Sequence, residues 1–181
     1  MCDLRSQAQP YLDFVCREYG HKDRAHDFHH IERIVSRLPM LSEGLSPQWD
    51  RLYFLACFHG LHARIQNEEA FRERVEAFLG SLGWQDTADL LASLARHLRA
   101  PVTVEEQIVH DANYLQLLGA FGVAKAFLTG GALGQSFEET ADIFEHQYLD
   151  RVEFLTPVGR RMAADSRAYT KDFLRRLREE W

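Results

Sequence analysis

The chain has 181 residues, which is enough for one domain with a substantial hydrophobic core. Apolar residues make up 46% and charged residues 27%, as in ordinary soluble globular proteins. The net charge of −6 argues against a nucleic-acid polymer as the main partner, and no apolar run is long enough to cross a membrane. The start lacks the pattern of a signal peptide, and the cysteines (Cys2, Cys16 and Cys57) are odd in number and widely spaced. We therefore expect a cytoplasmic protein with a single domain over residues 1–181.

Helical periodicity dominates the sequence, and no segment shows the alternation of a convincing strand. In chain order, helices are predicted at about 4–19, 28–38, 47–62, 67–82, 84–99, 103–118, 121–128, 137–152 and 159–180. Asp27 is a plausible N-cap for the second helix, which Pro39 is expected to stop. Ser46 is expected to cap the third helix.

Two capping boxes and one pair of glycines predict helix boundaries in the second half of the chain. Thr103 with Glu106, and Ser136 with Glu139, have the spacing of a box that opens a helix. The glycines at 130–131 predict a turn after a short helix. The whole pattern predicts an all-α bundle of about eight or nine helices.

Three polar residues interrupt apolar helix faces. Asp111 shares a face with aliphatic residues, His59 shares one with leucines and an alanine, and His30 adjoins the apolar stripe of its helix. Two imidazoles and a carboxylate suit a divalent transition metal. The alternative is a core histidine bonded to the backbone, or an aspartate near an arginine or a helix end. His29 and His110 lie next to these residues and should point elsewhere, exposed or packing.

Several motifs in order carry a family resemblance. His-Asp-x-x-His-x-x-Arg-Ile occupies residues 26–34, a second histidine lies in an apolar helix at His59, and Asp111 opens Asp-Ala-Asn-Tyr-Leu-Gln. Residues 156–163 read Thr-Pro-Val-Gly-Arg-Arg-Met-Ala. Together these motifs resemble the HD-domain superfamily of metal-dependent phosphohydrolases, and in particular its small single-domain bacterial branch of predicted hydrolases. The resemblance extends over most of the chain from Ala25 onward and implies an HD-domain helical bundle.

The resemblance implies a metal site, but with one departure from the family. The family's ligands carry over to His30, to His59 with the residue after it, and to Asp111. The residue after His59 is Gly60, where the family has the aspartate of its His-Asp pair. The implied cofactor is a divalent transition metal, either Mn, Fe, Ni, Co or Zn, bound more weakly than in the family. Charged family positions near Asp111 are also replaced, by Asn113, Tyr114 and Gln116.

Other residues are placed around this site by the same resemblance. His97 matches a family histidine that faces the substrate or a second metal. Arg33 is a candidate phosphate contact, with a structural ion pair as the alternative. His26 and Asp27 are expected to fix the helix start and to orient His30. His62, one turn after His59, either reaches towards the site or lies at the surface.

The sequence therefore favours a divergent metal-dependent phosphohydrolase that acts on a nucleotide or another small phosphoester. The alternative is a catalytically inactive HD-like protein that binds a ligand or a partner, as the lost charges at Gly60, Asn113 and Tyr114 would suggest. A third hypothesis is a non-haem iron oxygenase, but the loss of the family's aspartate at Gly60 argues against it. The expected partner is a small phosphorylated molecule, with no nucleic acid and no membrane. A homodimer through an apolar face of the C-terminal helix is possible.

Overall fold

The computed structural model describes residues 4–20, 27–149 and 151–180. Every regular element in these ranges is helical, which confirms the predicted all-α class. Two compact units follow one another along the chain, Met1–Val109 and His110–Trp181. The single domain over residues 1–181 stays a prediction.

The α-helices of the first unit are α1 (Leu4–Val15), α2 (Phe28–Leu41), α3 (Trp49–Phe58), α4 (His62–Asn67), α5 (Glu69–Ser81) and α6 (Thr87–Arg96). Helix α7 (Val104–Tyr114) begins in the first unit and ends in the second, which also contains α8 (Gly119–Ala132), α9 (Phe137–Ile143) and α10 (Pro157–Glu179). Short 3₁₀ segments lie at His59–Leu61 and Leu115–Leu117, and a π-helical segment lies at Phe144–Leu149. The predicted helix at 47–62 is divided by the first 3₁₀ segment, which makes α4 a separate element.

Helix α3 forms the core of the first unit. Its last seven residues, from Leu52 to Phe58, are all buried, as expected of a helix that is apolar on every side. The Phe14 ring of α1 stacks on Phe78 of α5 at 4.3 Å and on Phe58 at 5.5 Å. This packing fixes the carboxyl end of α3, and His59 follows it directly.

Helix α2 begins as predicted but ends later. The Asp27 carboxylate accepts a hydrogen bond from the His30 backbone N–H at 3.2 Å, so Asp27 is the N-cap. The prediction that Pro39 stops the helix is wrong, because α2 continues to Leu41. A proline near the end of a helix removes only one N–H. Leu38 and Leu41 are fully buried and stabilise the last turn by packing.

The start of α3 also differs from the prediction. Ser46 is not its cap; the N-cap position is Gln48, which makes no side-chain capping bond. Instead, the Gln48 backbone N–H donates to the Glu105 carboxylate at 2.8 Å. A carboxylate from α7 thus replaces the local cap that the sequence predicted.

Glycines in the second unit serve close packing. The predicted turn at 130–131 is wrong, because both glycines lie inside α8. A Cβ atom on Gly130 would lie 2.1 Å from Oγ1 of Thr140, so only glycine lets α9 approach this closely. The capping box of Ser136 and Glu139 that opens α9 is confirmed.

In the described ranges no single helix is long and apolar enough to cross a membrane. In the same ranges, one pair of helical segments, Val104–Leu117 and Gly119–Ala132, has the length and composition of a membrane span when the two are taken together, but the pair is bent by 72°.

Candidate functional site

Three histidines from separate elements meet in the first unit. His30 comes from α2, His59 from the segment after α3, and His97 from the end of α6. The ring centroids of His30 and His59 are 5.5 Å apart, and those of His59 and His97 are 5.2 Å apart. His30 and His97 are buried and His59 is half-buried. The structure therefore brings together two predicted ligands and the predicted site-lining histidine.

Hydrogen bonds order two of these rings. His97 Nδ1 lies 2.7 Å from the Leu94 carbonyl oxygen, which can only accept, so this nitrogen carries the proton. In a neutral ring, His97 Nε2 is then an acceptor, and it lies 2.9 Å from His59 Nδ1. His59 therefore donates from Nδ1, and its Nε2 carries the lone pair. Metal-binding histidines are commonly oriented in this way, through the nitrogen that does not bind the metal.

The imidazole nitrogens of this cluster are ligands of the type that binds divalent transition metals. Imidazole nitrogen suits Zn, Cu, Fe and Ni, and the tautomer of His59 directs a lone pair away from His97. Within the described part of the chain, no three His, Cys, Asp or Glu side chains are grouped as a metal site. The carboxylate that usually completes a two-histidine site has no counterpart at Gly60.

Tyr19 lies beside Gly60 and was not predicted from the sequence. Its hydroxyl accepts from the Gly60 N–H at 3.0 Å and donates to the Cys57 carbonyl oxygen at 3.0 Å. Both are backbone groups that an α-helix would use for its own hydrogen bonds, and a side chain inserted there explains the break after α3. Burial raises the pKa of the Tyr19 phenol above its usual range, so the hydroxyl stays protonated.

Cys57 is a small buried residue near the end of α3. It is free and fully buried, and burial raises the pKa of its thiol above the usual range. A thiol in this state is neither a nucleophile nor a good metal ligand at neutral pH.

Two pairs of basic side chains in the first unit influence one another electrostatically. Arg33 and Arg37 follow His30 on one side of α2, and Nη1 of Arg37 is buried without a hydrogen-bond partner among the described residues. Burial, and then the charge of Arg33, lowers the pKa of Arg37. His62 is half-buried, and burial followed by the charge of Arg99 lowers its pKa. The charges of Arg33 and Arg37 on one side of α2 would attract an anion.

The remaining residues predicted in the first motif have separate positions. Asp27 caps α2 through the His30 N–H and so orients the helix that carries His30. His29 is exposed and lies 2.8 Å from Glu32, which agrees with the prediction that it points elsewhere. His26 lies outside the described residues.

Asp111 belongs to the second unit, where its carboxylate is fully buried. One oxygen accepts from the Leu155 N–H and from His110 Nδ1, both at 3.0 Å. The other accepts from the backbone N–H and the hydroxyl of Thr156, both at 2.8 Å. A Cβ atom on Gly159 would lie 2.1 Å from this second oxygen. The buried charge is thus compensated by the segment that opens α10.

No protein-family profile matches the chain. The chain is 23% identical to YpgQ, an uncharacterized protein of Bacillus subtilis, over 96% of this chain and 93% of YpgQ. The crystal structure of YpgQ in complex with ADP superposes with a TM-score of 0.76 at 19% identity, over 98% of this chain and 96% of that one. An HD-superfamily hydrolase from Bacillus thuringiensis gives a TM-score of 0.74 at 23% identity, over 98% of each chain.

The fold is therefore that of HD-superfamily hydrolases, as the sequence motifs predicted.

Proposed function

We propose that the protein is a metal-dependent phosphohydrolase of divergent HD type, acting on a nucleotide or another small phosphoester. The observation that carries the proposal is the hydrogen-bonded chain from Leu94 through His97 to His59, beside the buried His30. This chain holds one imidazole in the tautomer that a metal requires.

The proposed ligands are His30 and His59 of the first unit. Asp111, the third ligand implied by the sequence resemblance, lies in the second unit and stays a prediction. Bound there, a divalent transition metal would polarise a phosphoryl oxygen and lower the pKa of a bound water. His97 orients the His59 ring through Nδ1, and Asp27 fixes the start of the helix that presents His30.

An anionic substrate is proposed because two arginines follow His30 on one side of α2. Arg33 and Arg37 lie one and two turns beyond His30 on α2, and Nη1 of Arg37 is buried without a hydrogen-bond partner among the described residues. A guanidinium binds phosphate oxygens through several donors at once. The ADP complex of YpgQ supports a nucleotide as the ligand class.

A ligand-binding protein without catalysis is the second candidate. Gly60 has no side chain that could bind a metal, and each oxygen of Asp111 already accepts hydrogen bonds within its own unit. Such a protein would bind a nucleotide without turning it over.

The test is phosphate release from a panel of nucleotides and small phosphoesters, with and without manganese or cobalt. We expect metal-dependent turnover in the wild type and a loss of at least about 100-fold in kcat/KM for His59→Ala. His29→Ala is the matched control, since His29 adjoins His30 in sequence but is exposed. Activity equal in His59→Ala and wild type would contradict the proposal. ADP binding without turnover would favour the second candidate.

A further inference from the structure

Gly60 is not required by its own backbone. Among the residues that the structure describes, the glycines with a positive φ are Gly44, Gly83, Gly119 and Gly134, so a residue with a side chain fits the local conformation at position 60. The obstacle is Tyr19. A Cβ atom on Gly60 would lie 3.0 Å from Tyr19 Cε1 and 3.1 Å from its hydroxyl oxygen, closer than ordinary carbon contacts.

Tyr19 is held firmly against this position. It is only 2% exposed, and its hydroxyl bonds Cys57 and Gly60 at once. The preceding residue, Glu18, is bonded by Arg64 of α4 and by Arg74 of α5, the latter at 3.0 Å. These ion pairs anchor the turn that carries Tyr19, so the ring cannot easily withdraw from Gly60.

We infer that Tyr19 is a positioning residue for His59 and the reason that residue 60 is a glycine. Its ring fills the space into which a side chain at position 60 would extend, and its hydroxyl holds the turn that presents His59. A carboxylate next to His59 would complete a set of two histidines and one acid. Tyr19 excludes that carboxylate. The part of this inference that concerns metal rests on the proposed function.

The first test measures steric coupling and needs no metal. Gly60→Ala, Tyr19→Ala and the double variant are unfolded in urea in the presence of a chelator. We expect Gly60→Ala to lower the unfolding midpoint of the wild type but to leave that of Tyr19→Ala unchanged, since the ring is then absent. Additive effects of the two substitutions would overturn the inference.

The second test is calorimetric titration of the full chain with manganese chloride. We expect Tyr19→Phe, which keeps the ring but loses both hydroxyl bonds, to bind about tenfold more weakly than the wild type. Tyr11→Phe is the matched control, because Tyr11 is equally buried but bonds the Trp84 indole at 3.3 Å. Its affinity should equal that of the wild type.

The same titration tests the excluded carboxylate. Gly60→Asp alone should not bind manganese more tightly than the wild type, whereas Gly60→Asp with Tyr19→Ala should bind it about tenfold or more tightly than Tyr19→Ala does. A folded double variant with no gain would overturn this part of the inference.

The two proposals fail differently. If the wild type binds no manganese and releases no phosphate, the proposed function fails. The steric coupling, and a binding site gained only in the double variant, would still support the role of Tyr19. If the wild type binds manganese but Tyr19→Phe binds it equally well, the positioning role of Tyr19 fails while the proposed function stands.

Discussion

Replacing Asp111 by alanine should strongly destabilise the metal-free protein. Its buried carboxylate accepts from Leu155, from His110 and twice from Thr156. Hydrogen bonds to a charged group are worth about 1.5–3 kcal/mol each, but removing one partner of a buried charge network typically costs about 3–5 kcal/mol in total. We therefore expect Asp111→Ala to lower the free energy of unfolding by about 3–5 kcal/mol.

The measurement is urea unfolding followed by circular dichroism, with a chelator present so that metal binding does not contribute. Asp165→Ala is the control, since Asp165 is an exposed aspartate of α10 and should change stability by less than about 0.5 kcal/mol. A loss below about 1 kcal/mol for Asp111→Ala would refute this reasoning, because four donors, most of them buried, would then have lost their acceptor at little cost.

Substituting Thr156 tests how strongly the hydrogen bonds around Asp111 are coupled to one another. Its hydroxyl donates to Asp111 and accepts from the Gly159 N–H at 2.9 Å, which makes it the N-cap of α10. Thr156→Val should cost about 1–2 kcal/mol, and with Asp111→Asn the two losses should couple by at least about 0.5 kcal/mol. Strict additivity would mean that the two groups act independently.

Three further changes test the fold. Gly130→Ala should cost about 1–3 kcal/mol in urea unfolding, and much of this loss should disappear in a Thr140→Ala background, where the clash is relieved. Asp27→Ala should cost about 1 kcal/mol through loss of the cap of α2. For Glu106, burial acts to raise the pKa, but the Val102 N–H and Arg96 hold it below its ordinary value of 4.5. Glu106→Gln should therefore be less stable than the wild type at pH 7 by about 2 kcal/mol, and the difference should shrink as the pH falls below about 4.5; a difference independent of pH would contradict this assignment.

Local signals predicted most helices but not where several of them end. Periodicity located the helices because one face of each packs inward, and the box at Ser136 is satisfied by residues close in sequence. The predicted helix end at Pro39 and the predicted turn at Gly130 were wrong because contacts outside their own helical turns determine the structure there. The cap of α3 was missed for the same reason, since its partner, Glu105, is 57 residues away.

At the candidate site too, residues with a local sequence signal were predicted, whereas residues defined by distant contacts were missed. His30 and His59 stood out as histidines next to apolar residues, His97 was placed by the family resemblance, and the structure groups all three. Tyr19 gave no signal, because its partner Gly60 is 41 residues away and has no side chain. Arg37 was also missed, since a lone arginine on a helix usually lies in solvent.

Metal content tests the central claim most directly. Protein purified without chelators, wild type and His59→Ala, is measured by elemental mass spectrometry, with His29→Ala as the control. We predict about one transition metal per chain in the wild type and in His29→Ala, and none in His59→Ala. If none of the three contains metal, even after incubation with excess manganese, iron or zinc, a metal-dependent hydrolase is contradicted.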